Sequence, residues 1–295
     1  NRLLLDFYLS QLCTMKLERL EEKVLECLRL GAYQILYLDR VPDSAAVNES
    51  VALARRYAKN PRAAGLVNGV LRNLTRQKAH LPKPPSDALR YSHPDWLAEL
   101  FAARLGEEGA RRLMEADNTP PPTCAQVNTC RFTAAQVREC LEAQGVEAVP
   151  HPWLTDSLLL SGTGNLEHLD AFQEGMLYIQ DPAARLAVQA AEPRPGMQIL
   201  DACAAPGGKS FAAAIAMGDV GNVVACDIHP HKQRLIEAGA KRLGLSCIQA
   251  KTLDAKACKE EYLDGFDLVI ADVPCSGLGI IRKKPDIRYK DPKPL

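Results

Sequence analysis

Two stretches in the last third of this 295-residue chain carry residue types and spacings that can do chemistry. The first, Asp201-Ala-Cys-Ala-Ala-Pro-Gly-Gly-Lys-Ser210, sets Gly207 and Gly208 just ahead of an apolar helical stretch. Glycines there allow a ligand to approach the backbone closely, and a helix that begins there aims free N–H groups at it. The spacing is neither the GxGxxG of a dinucleotide site nor the GxxxxGKS of a P-loop, and a plain tight turn is the competing reading. The second stretch, Asp272-Val-Pro-Cys-Ser-Gly-Leu-Gly279, leaves an apolar run through a Pro- and Gly-punctuated loop with Cys275 at its mouth. A thiol in such a loop becomes a nucleophile when a nearby cation lowers its pKa, and Lys209 or Arg282 are the candidates.

The elements that must position these residues follow from the apolar pattern. MQIL, NVVAC, SCIQA and FDLVIADV alternate with helix-like stretches such as Pro230–Leu243, which predicts parallel strands in βαβ units. Asp201, Asp227, Asp254 and Asp272 then fall at or just past the carboxyl ends of successive strands, where an open α/β sheet binds its ligands. Asp227, after the second strand, suits a ribose diol, because a carboxylate accepts two hydroxyl protons at once. Each acid alone reads equally as a loop acid or helix N-cap. Four in register point to one crevice, with Cys203 inside the glycine loop.

Upstream, apolar positions recur at helical spacing over Leu17–Leu28, again at Val47, Val51, Ala54 and Ala58, and again over Leu66–Leu74. Val41-Pro42-Asp43 and Asn60-Pro61 separate them, so residues 1–80 read as a small helical domain. Trp96–Met114 is helical and Pro120-Pro121-Pro122 closes it. A weakly alternating Thr123–Asn128, a helical Ala134–Gln144 and an apolar Ser157–Leu160 suggest a small α+β unit.

Composition bounds the function classes. The chain balances 36 Lys+Arg with 36 Asp+Glu and is 47% hydrophobic and 24% charged, which is globular and excludes wholesale disorder. The zero is an average: residues 1–80 hold 13 basic against 8 acidic side chains, residues 81–190 hold 8 against 15, and residues 191–295 hold 15 against 13. From Arg282 to Lys293 six basic side chains meet two acidic ones, a local excess that either faces phosphates or forms a solvated tail. The ten cysteines are scattered, with no CxxC pair and no zinc spacing, which fits reduced thiols in a cytoplasm and no metal site. No apolar run approaches 18 residues, so membrane insertion is not indicated.

DACAAPGGKS, the later Asp227 and Asp254, and DVPCSGLGIIRKKPDIRY together resemble the RNA cytosine-5 methyltransferases that use S-adenosylmethionine. The last motif is most similar to the bacterial small-subunit ribosomal RNA cytosine-5 methyltransferase B group (RsmB/Sun). LRLGAYQILYLDRVPDSAAVNESV and GLVNGVLRN resemble the helical RNA-binding domain of the antitermination factor NusB, which that group carries at its N-terminus. The resemblance covers nearly the whole chain and is weakest over 81–170. It implies a multidomain fold: an all-α NusB-like domain (1–80), linker helices with a small α+β RNA-binding unit (81–170), and a Rossmann-like α/β methyltransferase domain (171–295).

The resemblance also implies roles. Cys203, Ala204, Ala205, Pro206, Gly207, Gly208 and Lys209 hold the methionine end of S-adenosylmethionine, Asp227 its ribose and Asp254 its adenine, with Asp272 at the junction of cofactor and base. Lys209 and Asp272 belong to the catalytic set. The expected partner is small-subunit ribosomal RNA, bound by a cytoplasmic monomer. Residue logic nominates Cys275 as the nucleophile, as in DNA cytosine methyltransferases. In the RNA family the attacking thiol instead lies in a later Thr-Cys motif and the Pro-Cys thiol assists product release. Thr129-Cys130 precedes the cofactor loop and reads as a chance pair, so the expectation is that these residues hold the cofactor site but not the attacking cysteine, within a protein longer at both ends. The alternative is an RNA-binding, antitermination-like module in which the methyltransferase fold is only a scaffold.

Overall fold

The computed structural model describes residues 1–257 and 260–291, so Cys258 and Lys293 lie outside the described residues. The chain divides into two compact units: residues 1–121 with the segment from Ser276 onward, and residues 122–275.

The first unit is helical: α1 (Arg2–Leu12), α2 (Glu22–Tyr37), α3 (Asp43–Tyr57), α4 (Ala63–Gln77), α5 (Asp87–Arg90) and α6 (Asp95–Ala116). Helices α2, α3 and α4 bury their apolar stripes against one another, with Leu9, Leu28, Ala32, Val67, Leu71 and Leu74 at the centre. Gly31 permits the crossing, because a Cβ there would collide with Leu71 and Ser50. The helix expected over Leu17–Leu28 is a short 3₁₀ turn at Leu17–Arg19 followed by α2, since extended Leu20 and Glu21 break the repeat. The expected Trp96–Met114 helix is interrupted at Gly106, whose φ of 71° is non-helical. Helix α1 has no counterpart in the sequence reading; its run RLLLDFYLSQL is apolar on most sides and shows no clean stripe.

The segment after Ser276 belongs to this unit. Ile281 and Ile287 bury with Leu97 of α6, and the buried guanidinium of Arg288 donates to the Tyr91 carbonyl at 3.2 Å, Asn118 Oδ1 at 2.9 Å and the Asp117 carbonyl at 3.3 Å. Those partners lie at the ends of α5 (Tyr91) and α6 (Asp117 and Asn118), where acceptors left over by the helices suit a cation.

The second unit carries two sheets. Strands β1 (Thr123–Val127), β2 (Glu147–Pro150), β3 (Ser157–Ser161) and β4 (Leu177–Ile179) form an antiparallel sheet of order β2-β3-β1-β4, packed by α7 (Ala134–Ala143) and α8 (Asp170–Gln173). After α9 (Pro182–Ala190) come β5 (Gln198–Asp201), α10 (Gly208–Ala216), β6 (Asn222–Asp227), α11 (Pro230–Leu243), β7 (Ile248–Thr252) and β8 (Leu268–Ile270). These four strands are parallel, in the order β7-β6-β5-β8. The crossover helices explain the direction of the strands. The central β6 is buried along almost its whole length, as a parallel strand covered on both faces must be. Strand β8 is three residues long, shorter than the apolar run FDLVIADV suggests.

The two sheets are joined around α11. Asn128 Nδ2 donates to the carbonyls of Gly175 and Leu243, and Arg242 donates to the Phe172 and Leu177 carbonyls while its guanidinium lies 3.8 Å from the Phe172 ring centroid.

Candidate functional site

Strand β5 ends at Asp201, and the chain crosses its carboxyl edge before entering α10. The crossing is anchored on both sides: Ala202 N–H donates to the Ile270 carbonyl of β8 at 2.9 Å, and Ala204 N–H to the Cys226 carbonyl of β6 at 2.7 Å. Gly207 then turns the chain at φ +112°, where a side chain would strike the Phe211 ring. Gly208 opens α10, and a Cβ there would lie 3.3 Å from Gln180 Nε2. The first-turn N–H groups of α10 have no intrahelical acceptor by construction and face this loop.

The acids gather at this edge. Asp201 is fully buried; its Oδ2 accepts from Ser210 Oγ at 2.7 Å, while Oδ1 has no partner. Burial pushes its carboxyl up to about 6, against the opposing pull of Ser210, Lys209 and the Cys203 N–H. Asp227 is buried at the end of β6, accepts from the His229 N–H at 3.1 Å and lies 3.5 Å from Lys232 Nζ. Asp272 is exposed, and its Oδ2 meets Lys209 Nζ at 2.5 Å. Asp254 is exposed beyond β7, where its Oδ1 accepts from the Lys256 N–H at 3.0 Å in a local turn.

A cavity of about 200 Å³ lies at the loop, lined among others by Gln180, Asp201, Cys203, Gly208, Lys209 and Asp272. Ala204, Ala205 and Pro206 complete the loop's share of the wall; Asp227 and Asp254 do not line it. Cavities of 360 Å³ and 450 Å³ occur in the helical unit between α3 and α4.

The cysteines separate by surroundings. The Cys203 thiol is pushed up by burial and by the carboxylates of Asp201, Asp227 and Asp272, so it stays protonated. Cys275 is exposed. Both cations considered for activating it are already engaged: Lys209 with Asp272, and Arg282 with the carbonyls of Thr119 and Pro120. Cys130 donates to the Ile215 carbonyl at the far end of α10, about 10 Å along the helix from Gly208, and does not belong to this edge. Among the described residues no cluster of His, Cys, Asp and Glu could hold a metal ion, and no helix is long and apolar enough to cross a membrane.

Gln180 is the residue that sequence reasoning missed. It is 7% exposed, and its Nε2 has no partner. Nothing in its neighbourhood marks it, because a neutral amide ahead of the Asp181-Pro182 cap reads as the end of a strand.

Comparison with known proteins matches three successive stretches. Residues 1–76 match the NusB family, residues 93–167 the RsmF/B-like ferredoxin-like domain, and residues 188–293 the 16S rRNA methyltransferase RsmB/F family. A probable ribosomal RNA small subunit methyltransferase B of Bacillus subtilis is 36% identical over 98% of this chain, which spans 65% of that protein. The ribosomal RNA small subunit methyltransferase B of Vibrio cholerae is 36% identical over 88% of this chain, which spans 59% of it. The crystal structure of PH0851 superposes with a TM-score of 0.76 over 98% of this chain and 67% of that one, at 24% identity, a likeness of fold.

Proposed function

Since the chain belongs to the 16S rRNA methyltransferase RsmB/F family, with a NusB-type helical domain, a ferredoxin-like unit and a Rossmann-like methyltransferase domain, we propose that it methylates carbon 5 of a cytosine in small-subunit ribosomal RNA. The observation that carries this reading is the glycine turn between β5 and α10, whose cavity is lined by the buried Asp201 and by the Lys209–Asp272 pair. Of the three proposed segments, 1–80 and 81–170 serve RNA and 171–295 the cofactor.

The residues present fit S-adenosylmethionine. The turn is stripped of side chains at Gly207 and Gly208, and Asp227 keeps a carboxylate at the end of the second parallel strand. In this reading the Cys203–Lys209 backbone binds the methionine end, Asp227 accepts from the ribose hydroxyls, and Asp254 lies on the adenine side. When bound, the sulfonium supplies an electrophilic methyl group. The protein's part is to expose the base and make carbon 5 reactive. The cytosine must leave its stack. A thiolate then adds to carbon 6, which puts electron density on carbon 5; afterwards carbon 5 loses its proton and carbon 6 its thiolate, restoring the ring. Lys209 and Asp272, joined at the cavity edge, orient the base, and Cys275 assists product release.

The test uses the whole protein with small-subunit ribosomal RNA. Nucleoside analysis should find 5-methylcytidine, and Cys275→Ser should accumulate a protein–RNA adduct that survives a denaturing gel. A variant that neither methylates nor forms the adduct makes Cys275 the attacking thiol. RNA binding with no S-adenosylmethionine binding leaves the scaffold reading.

A further inference from the structure

Cys275 stands in a loop that its own residues do not hold. Residues 271–275 are exposed and outside any helix or strand, and among the described residues Val273, Pro274 and Cys275 make no hydrogen bond. The place of such a loop is set by the scaffold at its two ends. At the near end β8 is fixed, since the Ile270 carbonyl accepts from the Ala202 N–H at 2.9 Å. The far end is Ser276, where the chain passes from the second unit back into the first.

After Ser276 comes a strap of two 3₁₀ turns, Leu278–Ile280 and Pro285–Tyr289. The second closes on the start of the first. Gly277 has φ +80°, and a Cβ there would lie 3.0 Å from Ile287 Cδ1, so the turn beside the cysteine packs directly against Ile287. The neighbouring Arg288 is 1% exposed, and its guanidinium donates to the Tyr91 carbonyl, Asn118 Oδ1 and the Asp117 carbonyl. Arg282 donates to the next two carbonyls of that stretch, Thr119 at 3.2 Å and Pro120 at 2.9 Å. The Tyr289 hydroxyl adds a bond to the Ser92 carbonyl at 3.0 Å.

The stretch that both arginines hold is the one by which the chain leaves the first unit. Only Pro121 and Pro122 separate Pro120 from Thr123 at the start of β1, a span of at most about 11 Å whose prolines restrict it further. The departing and the returning chain are thus stitched together by hydrogen bonds from two cations, which are stronger than neutral ones.

We infer that Arg282 and Arg288 are positioning residues for Cys275: by clasping the returning strap to residues 117–120 they hold the far end of its loop, and so the thiol. The inference rests on the role given to Cys275 above. It accounts for two guanidiniums of a strongly basic segment being committed to main-chain and amide acceptors rather than left for phosphates.

The test compares wild type, Cys275→Ser and Arg288→Met, using the whole protein with small-subunit ribosomal RNA, and follows amide hydrogen exchange by mass spectrometry alongside. Met keeps an apolar stem and removes every donor. Exchange over residues 271–284 should rise about tenfold in Arg288→Met while α2, α3 and α4 keep their protection. The first methyl transfer should stay within about twofold of wild type, later turnovers should slow about tenfold or more, and the protein–RNA adduct should accumulate as in Cys275→Ser. A helical unit that merely unfolds would lower methylation and adduct together. Arg282→Ala, which opens no core, gives the same measurements should Arg288→Met not fold.

Unchanged exchange over 271–284, or raised exchange with wild-type turnover and no adduct, overturns the inference while the role of Cys275 stands. Loss of both methylation and adduct by Arg288→Met, where Cys275→Ser accumulates the adduct, overturns it as well. If Cys275→Ser loses both, the thiol attacks and the release role fails; the inference then stands if Arg288→Met also loses both with raised exchange and unchanged affinity for RNA and S-adenosylmethionine, and falls otherwise. A Cys275→Ser variant that behaves as wild type removes Cys275 from the reaction, and the inference with it.

Discussion

At the scale of single residues, Asp201 ties the site to stability. Its carboxyl is raised in the fold from the ordinary value near 4 to about 6, chiefly by burial. Below pH 4 the folded and unfolded chains both carry the proton. Between about pH 4 and 6 only the folded chain holds it, so stability falls as pH rises through that window. Above pH 6 both forms are ionised and the full cost of the buried charge is present. Ser210, Lys209 and the Cys203 N–H moderate the effect without reversing it, and the Asp272 carboxylate adds to it. Denaturant unfolding of wild type and Asp201→Asn at pH 4, 5.5 and 7 isolates this group. The difference between them should move in favour of wild type by up to about 3 kcal/mol from pH 7 to pH 4. A difference that stays constant across that range would sink the linkage. The carboxylates were legible in the sequence, because Asp at a strand end is a positional signal. Gln180 was not: its importance lies in a missing partner, which only the packing of Tyr178 and Gly208 around it reveals.

At the scale of elements, the joint between the antiparallel sheet and α11 depends on a position with no room for a side chain. Gly175 has φ +70°, and a Cβ there would lie far inside van der Waals contact with the Arg242 backbone. Gly175→Ala therefore combines left-handed strain with a clash against an immobile carbonyl, and should cost about 2–4 kcal/mol in chemical unfolding. Gly164→Ala, at φ +54° but with open space around it, isolates the backbone term and should cost about 1 kcal/mol. Equal losses would mean that the Gly175 contact relaxes freely. This joint could not be read from the chain, because Gly175 and Arg242 are far apart in sequence and neither lies in a motif. The amphipathic stripes of α2, α3 and α4 and the alternation of strands with α10 and α11 could be read, since local periodicity carries them. The packing of the Ser276–Tyr289 segment could not be read for a different reason. Its motif ties it to Cys275, whereas Ile281, Ile287 and Arg288 bury themselves with Leu97, Asp117 and Asn118 of the helical unit.

For the whole molecule, the neutral total conceals a division that follows the fold. The unit made of residues 1–121 and 276–295 holds 24 basic against 17 acidic side chains, and residues 122–275 hold 12 against 19. The excesses are +7 and −7, and they arise because the basic segment after Ser276 joins the basic helices rather than the acidic sheets. RNA should therefore be drawn to the helical unit, and its attraction should weaken as salt screens the phosphates. Arg55, Arg72 and Arg76 line the adjoining cavities between α3 and α4, and none of them is in an ion pair among the described residues. If these three guanidiniums contact phosphates of a single strand, replacing all three by Ala should lower the slope of log affinity against log salt by about 2. Over a rise from 50 to 200 mM salt that is a loss of roughly 16-fold for wild type that the variant no longer shows. The effect should be the same for any RNA sequence, since phosphates carry no sequence. Filter binding across that salt series decides it: parallel slopes for wild type and variant would remove this groove from the RNA path, and an unchanged affinity for S-adenosylmethionine in the variant would show that the loss belongs to the helical unit alone.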